Sequence, residues 1–376
     1  MQVIMASMAP NTPPADPRMG TVLVIGGCGF LGYHLVQNLL RDDECGPVHV
    51  LDRSIENNRL ADAAYTEGNI SDKETIRKLV ALLRPRVIFH AASPPASLPS
   101  HLKEDFYNTN VIGTQALLDA AAEHESVRAF VYSSSVDTYA DPPHDLVDES
   151  HPVWSPASKI AEYNRTKAIG DGLVREANGP QLRTVCLRLA HIYGDRHTQG
   201  LTQVLDSIKG DRPLVQIGDG TNLMEVLSAD NAATAHLLAA KALLDPRRAL
   251  DGGEVGGEAF NVSDGAPVPF WHHVRVIWGV ARGEDALKKV TVLPAWAMGT
   301  LVFLATWSYW IFTLGTVEPP VALSKTSFAY VTTSHTYSIQ KARARLGFSP
   351  VANHDEVLAR SVQWELHRQS QLASVQ

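Results

Sequence analysis

The sequence has little cysteine and little charge. Among its 376 residues there are three cysteines, Cys28, Cys45 and Cys186, which are too few and too scattered for a disulfide framework or a zinc site. A reducing compartment is therefore expected. Charged residues make up only 19% of the chain and hydrophobic residues 45%. This composition excludes a largely disordered chain, because disorder requires low hydrophobicity and high charge density.

An excess of basic residues is also missing. Lys and Arg together number 33 against 40 Asp and Glu, which gives a formal net charge of −7. Nucleic-acid binding draws much of its affinity from the neutralisation of phosphates, so we predict no nucleic-acid partner. The 15 histidines include no pair with a persuasive metal-ligand spacing. His272 and His273 are adjacent and would point in different directions on a helix, so we predict no metal site.

The chain divides into three parts. Residues 1–18 contain four prolines and no hydrophobic periodicity, which predicts a disordered lead-in rather than a signal peptide. Residues 19–189 alternate short apolar β-branched runs with helical patterns, which predicts an α/β fold, a Rossmann-like doubly wound parallel sheet covered on both faces. Residues 190–376 are predicted to form mainly a smaller, interleaved substrate-binding lobe at the edge where such sheets bind ligands.

Hydrophobic periodicity assigns the elements in more detail. The predicted strands are 21–25, 48–51, 87–90, 129–132 and 184–189, with short strands near 214–217 and 259–262. The predicted helices are 31–40, 72–83 with Ser71 as its N-cap, 111–123, 160–177, 201–209, 229–244, 270–280 and 355–367.

A glycine-rich loop lies between the first strand and the first helix. The run 26–32 reads Gly-Gly-Cys-Gly-Phe-Leu-Gly and satisfies G-x-G-x-x-G. Its glycines permit a tight turn, close approach of the backbone to a pyrophosphate, and close packing of helix on strand. Asp52 ends the next strand, 20 residues beyond Gly32, where its carboxylate can accept from a ribose 2′-hydroxyl. The combination predicts dinucleotide binding. Asp52 favours NAD, while Arg53 beside it leaves NADP open.

A second motif carries the chemistry. Tyr163 and Lys167 form Y-x-x-x-K at the start of a predicted helix, and a spacing of four places them on one helical face. A free phenol is a poor base at neutral pH, so a lysine beside it is needed to stabilise the phenolate and can also hold the nicotinamide ribose. Three serines, 133–135, end the strand upstream. A hydroxyl there can bond the reacting oxygen, so we predict a Ser–Tyr–Lys active site.

With these motifs the chain resembles the extended short-chain dehydrogenases/reductases, specifically the 3β-hydroxysteroid dehydrogenase family. Within that family it is most similar to the sterol-4α-carboxylate 3-dehydrogenase (decarboxylating) branch. The resemblance runs from about residue 22 to residue 364. It is carried by VLVIGGCGFLG (22–32), HAASPPAS (90–97), YNTNVIGTQALLDA (107–120), FVYSSS (130–135), YNRTK (163–167), GDGTNL (218–223) and AFNVSDGAPVPFW (259–271).

The resemblance implies a role for individual residues. Tyr163 would be the general base, Lys167 would lower its pKa, and Ser135 would position the 3-hydroxyl, with Ser134 as the competing choice. Asn110, in N-V-x-G-T, would help to hold the active-site helix and a proton relay. The residues assigned to the cofactor are Gly26, Gly27, Gly29, Phe30, Leu31, Gly32, Asp52, Arg53, Asn69, Ile70, Ala91, Ala92, Tyr163 and Lys167.

The implied reaction is NAD(P)-dependent oxidation of a 3β-hydroxyl on a steroid or triterpenoid, with loss of a 4α-carboxylate. Decarboxylation rests on the resemblance alone. Three stretches depart from the family pattern: Asn69, Arg188-Leu189-Ala190-His191 and the run 222–231. They favour a specialised terpenoid paralogue as much as the ordinary sterol enzyme. The alternatives are a non-decarboxylating 3β-alcohol dehydrogenase or ketoreductase, a nucleotide-sugar epimerase, and, in another class, an NAD-sensing regulator without turnover. A homodimer is left open.

One long apolar run stands apart from these motifs. Residues 290–317 contain no Asp, Glu, Lys or Arg, and carry a cluster of aromatic residues. About 20 helical residues cross a bilayer core, so 293–314 is long enough. Three interpretations are open: a monotopic membrane hairpin, a full transmembrane span, and a buried helix lining a large apolar pocket. Similar family members lie on endoplasmic reticulum or lipid-droplet membranes, which favours the first, with the catalytic domain in the cytosol.

Overall fold

The computed structural model describes residues 18–96, 103–140, 142–158, 160–210, 212–249, 254–314, 320 and 323–375. Apart from Arg18, the predicted disordered lead-in lies outside the described residues.

A seven-stranded parallel sheet forms the centre of the protein, with strand order β12-β7-β5-β4-β1-β2-β3. The predicted doubly wound α/β fold is confirmed. The predicted short strand near 259–262 joins this sheet as β12, so the C-terminal half contributes to the central sheet. The strands of the sheet are β1 (Val22–Ile25), β2 (Val48–Asp52), β3 (Ala64–Glu67), β4 (Val87–His90), β5 (Ala129–Ser135), β7 (Arg183–Leu189) and β12 (Glu258–Val262).

The two faces of the sheet pack on different helices. Alternate residues of β1 show this: Val22 and Val24 lie in one apolar cluster, whereas Leu23 and Ile25 lie in the other. This is the period-two pattern of a strand that is buried on both faces. One face carries α1 (Phe30–Leu40), α7 (Ala229–Leu243) and α12 (Gln340–Leu346); the other carries α2 (Lys73–Leu83), α4 (Thr114–Glu123) and α5 (Glu162–Glu176).

A third apolar cluster forms the smaller lobe. Its residues come from elements that follow β7, up to and including the C-terminal helix. A four-stranded sheet of order β13-β10-β15-β6 lies beside it. The remaining elements are α3 (Lys103–Tyr107), β6 (His144–Val147), β8 (His191–Tyr193), α6 (Thr198–Ser207), β9 (Val215–Ile217), β10 (Leu223–Met224), β11 (Val226–Ser228), β13 (Val268–Pro269), α8 (Phe270–Arg282), α9 (Glu284–Leu287), β14 (Thr291–Leu293), α10 (Ala295–Thr313), α11 (Lys325–Thr332), β15 (His335–Tyr337) and α13 (His354–Val375).

One local prediction is wrong and another is refined. The N-cap of α2 is Asp72, not Ser71, because the Asp72 carboxylate accepts from the backbone N–H groups of Glu74 and Thr75. The predicted helix 111–123 is helical throughout and ends at Glu123 as α4, but its first three residues belong to a π-helix at Asn108–Gly113 that follows α3. Hydrophobic periodicity does not reveal the wider π turn, which inserts one extra residue and is frequent at functional sites.

The apolar run forms α10, and this helix lies on the outside of the protein. Val302 is its only buried residue, while Trp296, Ile311 and Phe312 are between 58% and 86% exposed. The interpretation as a buried helix lining a pocket is therefore wrong. Periodicity could not decide this, since a helix that is apolar on all sides suits either a protein core or a membrane. Among the described residues, α10 is the one helix long and apolar enough to cross a membrane.

Candidate active site

The glycine loop has the shape that a pyrophosphate requires. Gly26 has a φ of +81°, and a Cβ there would lie 2.7 Å from the backbone nitrogen of Ala92. A Cβ on Gly27 would lie 2.6 Å from Val50, and one on Gly32 would overlap the Gly26 carbonyl. These contacts leave no room for side chains between the loop and its protein neighbours, so the tight turn depends on glycine. Gly29 is the N-cap of α1 and offers no side-chain cap, so the first N–H groups of the helix remain available to an anion.

Asp52 lies where a ribose hydroxyl would be bound. It ends β2, and its Oδ2 accepts the Cys28 N–H at 2.9 Å, which holds the carboxylate against the loop. Arg53 is exposed. Together with the cradle formed by the glycines, this carboxylate fits a nicotinamide dinucleotide.

The other predicted cofactor residues surround the loop. Ala91 donates its N–H to the Ile25 carbonyl at 2.9 Å, so Ala91 and Ala92 line the loop from β4. The Phe30 ring stacks on His197 with centroids 4.6 Å apart, and Leu31 is buried in the core. Asn69 is exposed and caps the backbone N–H of Ser71, whereas the Ile70 side chain is buried in the core. Of Ile70, only the backbone is therefore available to contact the adenine of a bound dinucleotide.

The three serines at the end of β5 have three different partners. The Ser133 hydroxyl lies 2.7 Å from His236 Nε2. Ser134 donates to Asp171 Oδ2 at 2.7 Å, inside a buried ion pair. Ser135 donates to Asp137 Oδ2 at 3.1 Å, and its hydroxyl lowers the pKa of the Tyr163 phenol. The arrangement commits Ser134 to the fold and leaves Ser135 as the serine that acts on Tyr163.

Tyr163 lies in the first turn of α5, and its ring packs edge-on against Phe106 at 5.9 Å. Burial is the main cause that raises the pKa of Tyr163, the Asp137 carboxylate raises it further, and Ser135 opposes both. The surroundings of the phenol, without a cofactor, therefore favour its neutral form.

Lys167 is 3% exposed, and burial lowers its pKa to about 8. Its Nζ donates to the Ser133 carbonyl at 2.7 Å and lies 4.9 Å from the centroid of the Tyr132 ring. Among the described residues, Ser135 rather than Lys167 lowers the pKa of Tyr163. The predicted effect of Lys167 on that pKa stays a prediction.

Asn110 is fully buried within the π-helix, and its Nδ2 donates to Thr166 Oγ1 at 3.0 Å. This bond ties the π-helix to α5 one turn from Tyr163. Its Oδ1 has no hydrogen-bond partner among the described residues. Because buried polar atoms are rarely left unpaired, this oxygen is free to accept from a water or a ligand group, which suits a proton relay.

Sequence reasoning missed Asp137, which lies two residues after Ser135. Its Oδ2 is 3.1 Å from the Ser135 hydroxyl, and its charge acts on the pKa of Tyr163, of Tyr330 on α11 and of Tyr337 on β15. Those two tyrosines come from distant parts of the chain. The available signal was an acidic residue two positions after the serine run.

The smaller lobe holds an apolar cavity of about 90 Å³, lined by residues that include His191, Met224, Phe270 and His273. Burial lowers the pKa of His191 to about 4, so this ring is neutral at physiological pH. Pockets for ligands of moderate size have volumes of about 300 Å³ or more. A larger groove of about 580 Å³ lies at the base of α10.

Histidines on α8 and α13 form a cluster on the surface of the lobe. The donor atoms of His272, His354 and Asp355 lie within 4.8 Å of one another. Asp355 Oδ1 is 2.8 Å from His272 Nε2 and 2.7 Å from His354 Nδ1, and His273 Nδ1 is 2.9 Å from His354 Nε2. The adjacent histidines do point to different partners. Hydrogen bonds within the cluster account for these distances.

Known proteins are similar to this chain in both sequence and fold. The sequence profile of the 3-beta hydroxysteroid dehydrogenase/isomerase family matches residues 23–294. The chain is 32% identical over 301 residues to a sterol-4-alpha-carboxylate 3-dehydrogenase, decarboxylating, of Gibberella zeae, covering 79% of this chain and 97% of the relative. It is 29% identical over 360 residues to the protein of that name in Saccharomyces cerevisiae, covering 92% and 98%.

Solved structures with the same fold are more distant in sequence. UDP-glucose 4-epimerase from Thermotoga maritima superposes with a TM-score of 0.69 at 20% identity, covering 93% of this chain and 99% of that one. The UDP-glucose 4-epimerase of Thermus thermophilus, solved with NAD, gives a TM-score of 0.66 at 18% identity, covering 92% and 99%. At these identities the likeness establishes the fold.

Proposed function

The chain belongs to the 3-beta hydroxysteroid dehydrogenase/isomerase family, and on that basis we propose that it oxidises the 3β-hydroxyl of a 4α-carboxylated sterol or triterpenoid, with ensuing loss of the carboxylate. It is a nicotinamide-dinucleotide-dependent oxidoreductase that acts on a CH–OH group. The observation that carries the proposal is the placement of Tyr163 and Lys167 on α5, with Ser135 near enough to lower the pKa of Tyr163. The glycine loop, held to Asp52, completes the site. The names of the relatives supply the substrate class.

In this mechanism Ser135 and Tyr163 hold the substrate hydroxyl, and Tyr163 takes its proton. When bound, NAD supplies the hydride acceptor. Lys167, on the same helical face as Tyr163, would hold the nicotinamide ribose. A carboxylate on the carbon next to the new ketone makes the product a β-keto acid, which loses CO₂ through its enol without a further catalytic group. The chain therefore needs only to position and oxidise the alcohol.

We propose NAD as the preferred dinucleotide. The Asp52 carboxylate stands where a 2′-phosphate would be repelled, because like charges at close range oppose each other. Arg53 is exposed and forms no described ion pair with Asp52, so it remains available to a 2′-phosphate and keeps NADP as the second choice.

A non-decarboxylating 3β-hydroxysteroid or terpenoid dehydrogenase is the second candidate. One observation favours it: Asp137 lies beside Ser135 and Tyr163. An ionised carboxyl group there would repel a carboxylate on the carbon next to the reacting alcohol. Both candidates oxidise the 3β-hydroxyl, and they differ only in whether the neighbouring carbon loses a carboxylate.

Paired substrates separate the candidates. The purified protein is incubated with NAD or NADP and a 3β-hydroxysterol, either with or without the 4α-carboxylate, and product masses are read. We expect turnover of the carboxylated substrate with loss of two hydrogens and CO₂, and faster turnover with NAD. Loss of two hydrogens alone, or activity confined to the uncarboxylated sterol, would establish the second candidate instead.

We propose that residues 190–376 mainly form the substrate lobe and that residues 19–189 hold the dinucleotide. The groove at the base of α10 supports this division, because its volume of about 580 Å³ is within the range of small-molecule sites. Asn222, Val292, Pro294 and Trp296 line it. A lipophilic substrate that enters from a membrane would meet this groove first.

We propose further that α10 inserts into one leaflet of the endoplasmic reticulum membrane or a lipid-droplet surface, with the catalytic domain in the cytosol. Its exposed apolar surface would otherwise contact water. A single span disagrees with the fold, since Phe328 on α11 packs near Gly299 at the start of α10, and α13 packs against α8 in the same lobe as the elements before α10. In this arrangement α11 and α13 lie on the same side of the membrane as the elements before α10.

Removing the aromatic surface of α10 should release the protein from membranes. Phe303, Trp307 and Trp310 are each about half exposed, so inserting one such side chain contributes about half of the 1.5–3 kcal/mol that full burial gives. The triple serine variant is therefore expected to bind phospholipid vesicles about 50-fold to 10³-fold more weakly in flotation assays. The matched control changes Leu82, Leu146 and Leu372, which are 54% to 78% exposed, to serine and should float as the wild type does. Equal flotation of both variants would refute the anchor.

A further inference from the structure

Two helices of the smaller lobe bring three metal-ligating side chains to one point on its surface. His272 lies in the first turn of α8, and His354 and Asp355 are the first two residues of α13. One donor atom from each residue lies within 4.8 Å of the other two. His272 and Asp355 are 83 residues apart in the sequence, so no local spacing could reveal this set of ligands.

The three donor atoms converge on one carboxylate. Asp355 Oδ1 lies 2.8 Å from His272 Nε2 and 2.7 Å from His354 Nδ1. Among the described residues, Asp355 pairs with these two histidines and with no Lys or Arg. Burial opposes ionisation of Asp355, but hydrogen bonds from His354 and His272 outweigh it and lower the pKa of the carboxyl group. The carboxylate is therefore ionised, and no lysine or arginine neutralises it.

A fourth side chain, His273, orients the His354 ring. It is 7% exposed, and its Nδ1 lies 2.9 Å from His354 Nε2. Burial lowers the pKa of His273 well below its ordinary value, and the nearby His191 lowers it further, so the ring is neutral. When His354 Nε2 donates to this ring, His354 Nδ1 carries no proton and directs its lone pair towards Asp355. Histidines that bind metals commonly have their second nitrogen hydrogen-bonded in this way, which fixes the tautomer.

We propose that His272 Nε2, His354 Nδ1 and the Asp355 carboxylate bind one Zn²⁺ ion, with a water as the fourth ligand of a tetrahedral site. Imidazole nitrogens and carboxylate oxygens are ordinary zinc ligands at about 2.0–2.2 Å, which places the ligand atoms about 3.3 Å apart. Mg²⁺ and Ca²⁺ prefer ligand sets made of oxygen atoms, so two imidazoles favour zinc over both.

Zinc takes the place of the protons that the cluster shares without it. The two short contacts with Asp355 open by about 0.5 Å to reach the separation of zinc ligands. The side chains of His272 and Asp355 are 46% and 60% exposed, which leaves them free to make this adjustment. The proton of His354 moves to Nε2, where His273 accepts it.

The bound ion joins the beginning of α8 to the beginning of α13. These helices pack against each other within the third apolar cluster. A ligand that binds only the folded state stabilises that state, more strongly as its concentration exceeds the dissociation constant. Zinc therefore stabilises the smaller lobe, and no step of the proposed oxidation requires it.

The test is zinc binding by the metal-free, full-length protein, measured by isothermal titration calorimetry. We expect one ion per chain. His272→Gln and Asp355→Asn each remove one ligand at an exposed position and should weaken binding more than about 10²-fold, beyond the 10–100-fold that changes outside the ligand set cause. The matched control, His367→Gln, removes an exposed histidine from the same helix α13 and should bind zinc as the wild type does.

Two further measurements report on the geometry and on the fold. Co²⁺ in place of Zn²⁺ should give the strong visible absorption of a tetrahedral site in the wild type and in His367→Gln. Zinc should raise the midpoint of thermal unfolding of these two proteins and leave those of His272→Gln and Asp355→Asn unchanged. Equal zinc affinity in the wild type and both ligand variants, or several weakly bound ions whose number falls equally in His367→Gln, would overturn the proposal and show adventitious surface binding only.

Discussion

The Tyr163→Phe variant is expected to lose more than about 10³-fold in kcat, within the range attributed to general acid–base groups. Phenylalanine keeps the ring and its edge-on packing against Phe106, and removes only the phenolic hydroxyl. Without that oxygen, neither a direct transfer nor a relay can take the proton from the substrate. The measurement is steady-state turnover of the 3β-hydroxysterol with NAD.

Cofactor affinity should hardly change in this variant. The glycine loop and Asp52 lie on β1, α1 and β2, away from α5, so the dissociation constant of NAD should stay within about threefold, less than 1 kcal/mol. Tyr107→Phe, which removes a phenol that is 40% exposed, is the matched control and should be fully active. Wild-type turnover in Tyr163→Phe would rule out Tyr163 as the base, and lost NAD binding would mean that the substitution acts through the cofactor.

Replacing Arg188 with methionine is expected to have the largest effect on stability. Arg188 and Asp171 are 1% and 2% exposed, and the guanidinium donates to both carboxylate oxygens at 2.8 and 3.1 Å. Breaking a buried pair by removing one partner leaves an uncompensated charge and costs about 3–5 kcal/mol. This is a large part of a typical free energy of unfolding, about 5–15 kcal/mol.

Urea unfolding of three variants tests this explanation. Adding Asp171→Leu to Arg188→Met should recover part of the loss, since the double variant buries no lone charge. Arg77→Met removes an arginine whose side chain is 63% exposed and should change the free energy of unfolding by less than about 1 kcal/mol. A loss under about 1 kcal/mol in Arg188→Met would show that Asp171 becomes neutral or is rehydrated.

This ion pair also supports the active site. Asp171 lies on α5 two turns after Tyr163, Arg188 lies on β7, and Ser134 on β5 donates to the same carboxylate. The three groups hold α5 on the two strands whose ends carry Ser135 and Leu189. The position of Tyr163 over the sheet therefore depends on a buried charge that takes no part in the chemistry.

Several features of the site could be read from the sequence because they depend on local geometry. A glycine loop between strand and helix, with Asp52 at the end of the next strand, has one common structural solution. Tyr163 and Lys167 share a helical face because of their spacing alone. Alternation of apolar runs and amphipathic helices specified the parallel sheet, since both faces of such a sheet must be covered.

Other features required the folded chain, because they join residues far apart in sequence. The separate partners of Ser133, Ser134 and Ser135 come from α7, α5 and the 3₁₀ turn, and no pattern within the serine run distinguishes them. The surroundings of Asp137 include Tyr330 and Tyr337, almost 200 residues away. The exposure of α10 was equally undetermined, since its composition suits a core as well as a membrane.

The sequence by itself determined the family, the doubly wound sheet and the Ser–Tyr–Lys motif, because these follow from short-range spacing and periodicity. Only the tertiary structure decided which serine faces Tyr163, that the helix of apolar residues lies outside the protein, and that a carboxylate shares the catalytic hydroxyl. The physical reason is that a pKa, a buried charge and a solvent-exposed face are set by neighbours that long-range folding brings together.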